Sequence, residues 1–186
     1  GLHKKQLDNV LQGLLPQHAV SRLMLGDPVL DVSQNTTVSL CDIYDFEQWS
    51  TKVLPLNAVH AISTMVSEFD RRLLKLGLLK VKARGDRYLC ATMTSPSPDP
   101  TKLVTETLKM FRFTVFQLET IDALNRSSLD VPCQSRIGVH TGPTFAAIVG
   151  THGISYDMFG SAITTVSNMV LQQRPNTVSA SICCLH

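Results

Sequence analysis

A glycine-aspartate pair, Gly85-Asp86, stands between two short β-rich runs, residues 78–82 and Arg87–Met93. So tight a turn leaves no room for a crossover, so the runs return on each other as an antiparallel hairpin with Asp86 at its tip. Any fold for this chain must therefore contain antiparallel sheet. The rest of the chain supplies helices to cover it. Between residues 56 and 76, Val59, Ile62, Met65, Val66, Phe69 and Leu73 recur with the period of a helix that Gly77 closes. After the loop Ser95–Pro100, Thr101 caps a second helix predicted to about Leu124. Gly160 precedes a third, which runs to about Gln173 before Pro175 stops it, and Thr177–Ser181 reads as a last short strand.

Two further strand signals complete the order. Thr37–Cys41 alternates, carries β-branched residues and stops at Asp42, as a core strand ending in a carboxylate would. Ser135–His140 and Pro143–Val149 flank Thr141-Gly142 and predict a second hairpin. Upstream, residues 5–25 carry apolar residues at helical spacing interrupted at Pro16, an amphipathic lead-in. The expected organisation is a helical lead-in over 1–30 and one domain over 31–186, of mixed α/β (α+β) class, with an antiparallel-rich central sheet flanked by helices.

Composition removes several functional classes. The net charge of +2, with 17 Lys and Arg dispersed along the chain, offers no general grip on nucleic acid. Cys41, Cys90, Cys133, Cys183 and Cys184 form no C-x-x-C pair, which fits a reducing compartment better than a disulfide or zinc framework. No apolar run approaches the roughly 18 residues a bilayer span needs. The expectation is a cytoplasmic domain that does not itself insert into a membrane, although it can belong to a larger membrane protein.

Asp42 at a strand end and Asp86 at a hairpin tip would meet if their strands are neighbours. Magnesium takes hard oxygen ligands and commonly uses only one or two carboxylates plus substrate phosphates, so two aspartates suffice. Two ions about 4 Å apart activate an attacking oxygen and stabilise a leaving one. The plainer reading is that an aspartate before a turn caps it. His140, alone in a predicted strand, reads as structural.

The segments Asp42-Ile-Tyr-Asp-Phe46, Lys80-Val-Lys-Ala-Arg-Gly-Asp-Arg-Tyr88, Arg136-Ile-Gly-Val-His-Thr-Gly142 and Tyr156-Asp-Met-Phe-Gly160 resemble, in order and spacing, the landmarks of class III adenylate and guanylate cyclases. Leu14-Leu-Pro16 resembles the segment that precedes that domain. The resemblance implies a ferredoxin-like cyclase domain that converts ATP or GTP to the 3′,5′-cyclic monophosphate and pyrophosphate with two Mg2+ ions, Mn2+ substituting. It assigns Asp42, Asp86 and the Ile43 carbonyl to the metals. Backbone amides from Tyr44 through Phe46 to Glu47, and the Arg136 side chain, fall to the triphosphate, and Lys82 and Asp157 to the purine or to a degenerate second pocket. It also implies that the family fold continues beyond residue 186, with a lysine for the terminal phosphate.

Two departures matter. The family's ribose-orienting Asn and transition-state Arg align with Thr164 and Asn168, and neither brings a positive charge. Asp45 and Glu47 stand where the family often has Gly and Thr. Because this family builds its site between two subunits, the pattern resembles the metal-carrying half of a heterodimer whose partner is a second cyclase domain. A cyclase-like pseudoenzyme that dimerises with an active partner is the alternative.

Overall fold

The computed structural model describes residues 15–93, 99–127, 129–150 and 154–182. The elements run α1 (Gln17–Leu25), β1 (Leu30–Ile43), α2 (Phe46–Lys52), α3 (Pro55–Leu76), β2 (Leu79–Arg84), β3 (Arg87–Ala91), α4 (Pro100–Ser127), β4 (Ser135–Val149), β5 (Ser155–Phe159), α5 (Ser161–Gln172) and β6 (Thr177–Ile182). Six strands form one sheet in the order β2-β3-β1-β4-β5, with β6 parallel to the first half of β4. All other pairings are antiparallel. Part of the lead-in, residues 1–14, and most of the Ser95–Pro100 loop lie outside the described residues.

Helices cover both faces of the sheet, and the alternation of side chains along β1 divides the core. Cys41 and Ile43 join Met65 and Phe69 of α3, Met110 and Phe113 of α4, and Ile137 and Val139 of β4. Val38 and Leu40 join Ala19 and Val20 of α1 and Ala162, Val166 and Val170 of α5. Helix α1 is also tied down through Asp31, which takes hydrogen bonds from Tyr156 and Arg22 and pairs with His18 at 2.7 Å. Burial pushes the Asp31 carboxyl up, but Tyr156, His18 and Arg22 together pull it below the ordinary carboxylate range.

The Gly85-Asp86 hairpin forms as expected, with Arg84 paired to Arg87. The second hairpin does not. Thr141 and Gly142 are not a turn: they pair with Thr37 and Thr36 inside one continuous fifteen-residue strand. The irregularity lies on the other strand, where the register jumps from Thr36↔Gly142 to Ser33↔Thr144, so that Gln34 and Asn35 of β1 stand against Pro143 alone. A bulge at that point removes the need for the ladder N–H that Pro143 lacks. Strand β4 instead pairs antiparallel with β5, which contains the Tyr156–Phe159 stretch of the last landmark.

Gly160 ends β5 and starts α5 at φ 123°, where a β-carbon would stand 2.7 Å from the Pro143 carbonyl oxygen and 3.0 Å from the Thr144 Cα. Neither backbone atom can move without disturbing β4. Gly160→Ala is expected to cost about 3 kcal/mol or more, combining strain with overlap. Urea denaturation would show it, and a loss below about 0.5 kcal/mol would mean that the β5–α5 junction relaxes freely.

Candidate active site

Asp42 lies one residue from the end of β1, with Arg87 of β3 on one side and Arg136 of β4 on the other. It follows Val38 and Leu40 on the sheet face that packs against α5, at the point where that core runs out. Its side chain is only 2% exposed. A carboxylate so buried needs a partner. Arg136 supplies it through both ends of its fork: Nε donates to Oδ1 at 3.0 Å and Nη2 to Oδ2 at 2.6 Å. The guanidinium also lies over the Tyr44 ring, 5.0 Å from its centroid, and Nη1 donates to the Leu171 carbonyl in the last turn of α5 at 3.4 Å. A helix C-terminus favours a cation there. Arg136, which the resemblance gives to phosphate, is thus turned onto Asp42.

Asp86 is brought alongside by the pairing of β1 with β3, which lets the Ile43 N–H donate to the Asp86 carbonyl at 3.0 Å. Asp86 is half-buried, and its carboxylate has no hydrogen bond or ion pair to a described residue. One carboxylate is therefore open and its neighbour occupied. Beyond Ile43, the Tyr44 N–H is already used, donating to the Gln134 carbonyl at 2.7 Å. Asp45 then adopts the left-handed conformation at φ 49° at the N-cap of the seven-residue α2, with no side-chain capping hydrogen bond. That geometry suits glycine, and Asp is among the few side-chain-bearing residues that tolerate it. The N–H groups of Phe46 and Glu47 find no acceptor among the described residues.

Lys82 and Asp157 come together from the two ends of the strand order, Nζ to Oδ1 at 3.1 Å, so that β2 and β5 approach and the sheet curls towards closure. Asp157 also accepts from the Ser155 hydroxyl at 3.1 Å. Thr164 and Asn168 sit four residues apart on α5, both exposed, on the face opposite Ala162, Val166 and Val170. The structure brings Asp42, Asp86, Ile43, Tyr44 and Arg136 into one neighbourhood. Two contributors were not foreseen: the Tyr44 ring and the Leu171 carbonyl. The cross-strand register could have paired Asp42 with Arg136, but nothing in the sequence marks a backbone carbonyl.

The donors at this place are oxygen only. No cluster of three or more His, Cys, Asp and Glu occurs among the described residues, which leaves no soft or imidazole-rich metal site there. The pair of carboxylates suits a hard cation that completes its shell with water and phosphate, on condition that Arg136 yields part of Asp42. The described cysteines play no nucleophilic part: Cys41, Cys90 and Cys133 are all buried, and burial pushes the Cys133 thiol up to about 11.

Residues 30–182 match the family model of the adenylate and guanylate cyclase catalytic domain. The chain belongs to this family. It is 26% identical over 179 residues to a membrane guanylyl cyclase of Dictyostelium discoideum, and 26% identical over 181 residues to the soluble guanylate cyclase subunit beta-2 of Homo sapiens. These alignments cover 96% and 97% of this cyclase domain but only 12% and 28% of those proteins. Among solved structures, the catalytic core of a rhodopsin-guanylyl cyclase with converted specificity, in complex with ATPalphaS, superposes with a TM-score of 0.69 at 22% identity, over 82% of this chain and 79% of that one. The mixed α/β fold with its antiparallel-rich sheet is that of the cyclase catalytic domains. No described helix is long and apolar enough to cross a membrane.

Proposed function

We propose that this domain supplies the metal-binding half of a two-subunit site that converts ATP or GTP to the 3′,5′-cyclic monophosphate. The observation that carries the reading is the backbone adjacency of Asp42 and Asp86: Asp42 pairs with Arg87, and the Ile43 N–H donates to the Asp86 carbonyl. In the reaction the ribose 3′-oxygen attacks the α-phosphorus, the 3′-hydroxyl proton is lost, and the bond to the bridging oxygen breaks to release pyrophosphate. Bound Mg2+ would lower the pKa of the attacking hydroxyl and neutralise charge on the phosphates. Asp42 and Asp86 would hold it, with the Ile43 carbonyl as the third protein oxygen. Phe46 and Glu47 offer free N–H groups to phosphate.

Thr164 and Asn168 cannot place a positive charge on the transition-state phosphate, so the complementary Asn and Arg must come from a partner cyclase domain. The likeness to a protein named as a subunit supports that arrangement. In it, Lys82 and Asp157, already paired with each other, line the second pocket rather than the purine site. The substrates place the domain on the cytoplasmic side. A regulatory, non-catalytic role is the competing reading, favoured by the occupied Asp42 carboxylate and by the added charges of Asp45 and Glu47.

The test is to mix the domain with partner cyclase domains that carry the Asn and Arg, supply Mn2+ with ATP or GTP, and measure cyclic product. Asp86→Asn is expected to lower the mixed activity at least about 100-fold without unfolding the domain. Full activity in that variant would remove Asp86 from the chemistry, and no product in any pairing would favour the regulatory role.

A further inference from the structure

Three groups converge on one guanidinium. Arg136 meets both oxygens of Asp42, the free carbonyl of Leu171 at the end of α5, and the face of Tyr44. Asp42 lies behind it at 2% side-chain exposure, while Arg136 is at 11%, so the guanidinium stands on the solvent side of the carboxylate. Two of its contacts yield easily: the Leu171 hydrogen bond is long, and the Tyr44 ring is itself partly exposed. A divalent ion at Asp42 needs a carboxylate lone pair that the fork now uses, and it would repel the cation beside it.

We propose that Arg136 is a displaceable counter-ion: it fills the cation's place at Asp42 in the empty domain, and a divalent ion enters by evicting it. The inference rests on the metal reading of Asp42 and Asp86 above and adds a consequence to it. Eviction exposes a guanidinium that then needs another anion, and a polyphosphate is the anion that arrives with the cation. Metal and nucleotide therefore assist each other through one side chain that exchanges a carboxylate for a phosphate. By linkage, each raises the other's affinity by the same factor. The empty domain is poorly charged with metal until nucleotide is present.

The experiment measures Mn2+ binding to the domain without nucleotide, following free Mn2+ by electron paramagnetic resonance. Arg136→Gln is expected to bind Mn2+ at least about tenfold more tightly than the unsubstituted chain, and adding Asp86→Asn should abolish the gain. Equal affinities, both lost with Asp86→Asn, would overturn the counter-ion role and leave the metal assignment standing. Binding indifferent to Asp86 in either background would overturn both. Because Arg136→Gln leaves Asp42 buried without its partner, a second readout uses the unsubstituted chain: the Nε–Hε NMR signal of Arg136 during a Mg2+ titration. It should move together with the Asp86 amide. An Arg136 signal that stays fixed while Asp86 responds would reject the exchange.

Discussion

Asp42→Ala is expected to lower the stability of the domain by about 3 kcal/mol, because it leaves the Arg136 guanidinium in a largely dry site with no opposite charge. In a domain of this size that corresponds to a melting temperature lower by roughly 6–12 °C. Asp86→Ala, in contrast, removes a carboxylate that no described residue uses, and should change stability by no more than about 0.5 kcal/mol. The two aspartates that the proposed chemistry treats alike are thus unlike in the fold. Inactivity of an Asp42 variant cannot be assigned to lost metal until its folding has been measured, whereas Asp86 gives a clean answer. Adding Arg136→Met to Asp42→Ala should recover part of the loss, since removing both charges together leaves neither stranded. An Asp42→Ala protein as stable as the parent would show that Arg136 simply turns to water.

The second large effect concerns catalysis by the domain alone. Thr164→Asn combined with Asn168→Arg is expected to raise cyclic nucleotide formation by the domain paired only with itself about 100-fold, the equivalent of roughly 3 kcal/mol in the barrier. Both positions are exposed on the outer face of α5, so the substitutions leave the packing of Ala162, Val166 and Val170 against the sheet unchanged. The gain should appear in the self-paired domain and be absent when a complete partner is already supplying the Asn and Arg. No gain, with dimerisation and Mn2+ binding intact, would assign the defect to another departure, Asp45 and Glu47 first among them.

The sequence was most legible where local chemistry acts alone. Gly85-Asp86 specified its turn, Gly77 closed α3 in the left-handed conformation at φ 68°, and Asp42 ended its strand within one residue. It misled where a neighbour decides. Thr141-Gly142 has the composition of a turn, but pairing with Thr36 and Thr37 on the central strand carries it straight through. Pro143, which has no N–H to give the ladder, is accommodated by an extra residue on the opposite strand. At the site, the motif residues were nameable one at a time, while their present pairings were not. That Arg136 turns to Asp42 and Lys82 to Asp157 depends on which strands adjoin and which edges meet, and both pairs join residues at least 75 positions apart.

The approach of β2 and β5 also bears on the exposed edges of the sheet. An open sheet presents rows of unpaired backbone groups on its outermost strands, and these add further strands indiscriminately. Lys82 and Asp157 hold the two ends of the strand order against each other, so charged side chains stand at those edges. The ion pair is half-exposed and weak, worth about 1 kcal/mol at most. Charged side chains at a sheet edge disfavour the strand-by-strand stacking of identical copies.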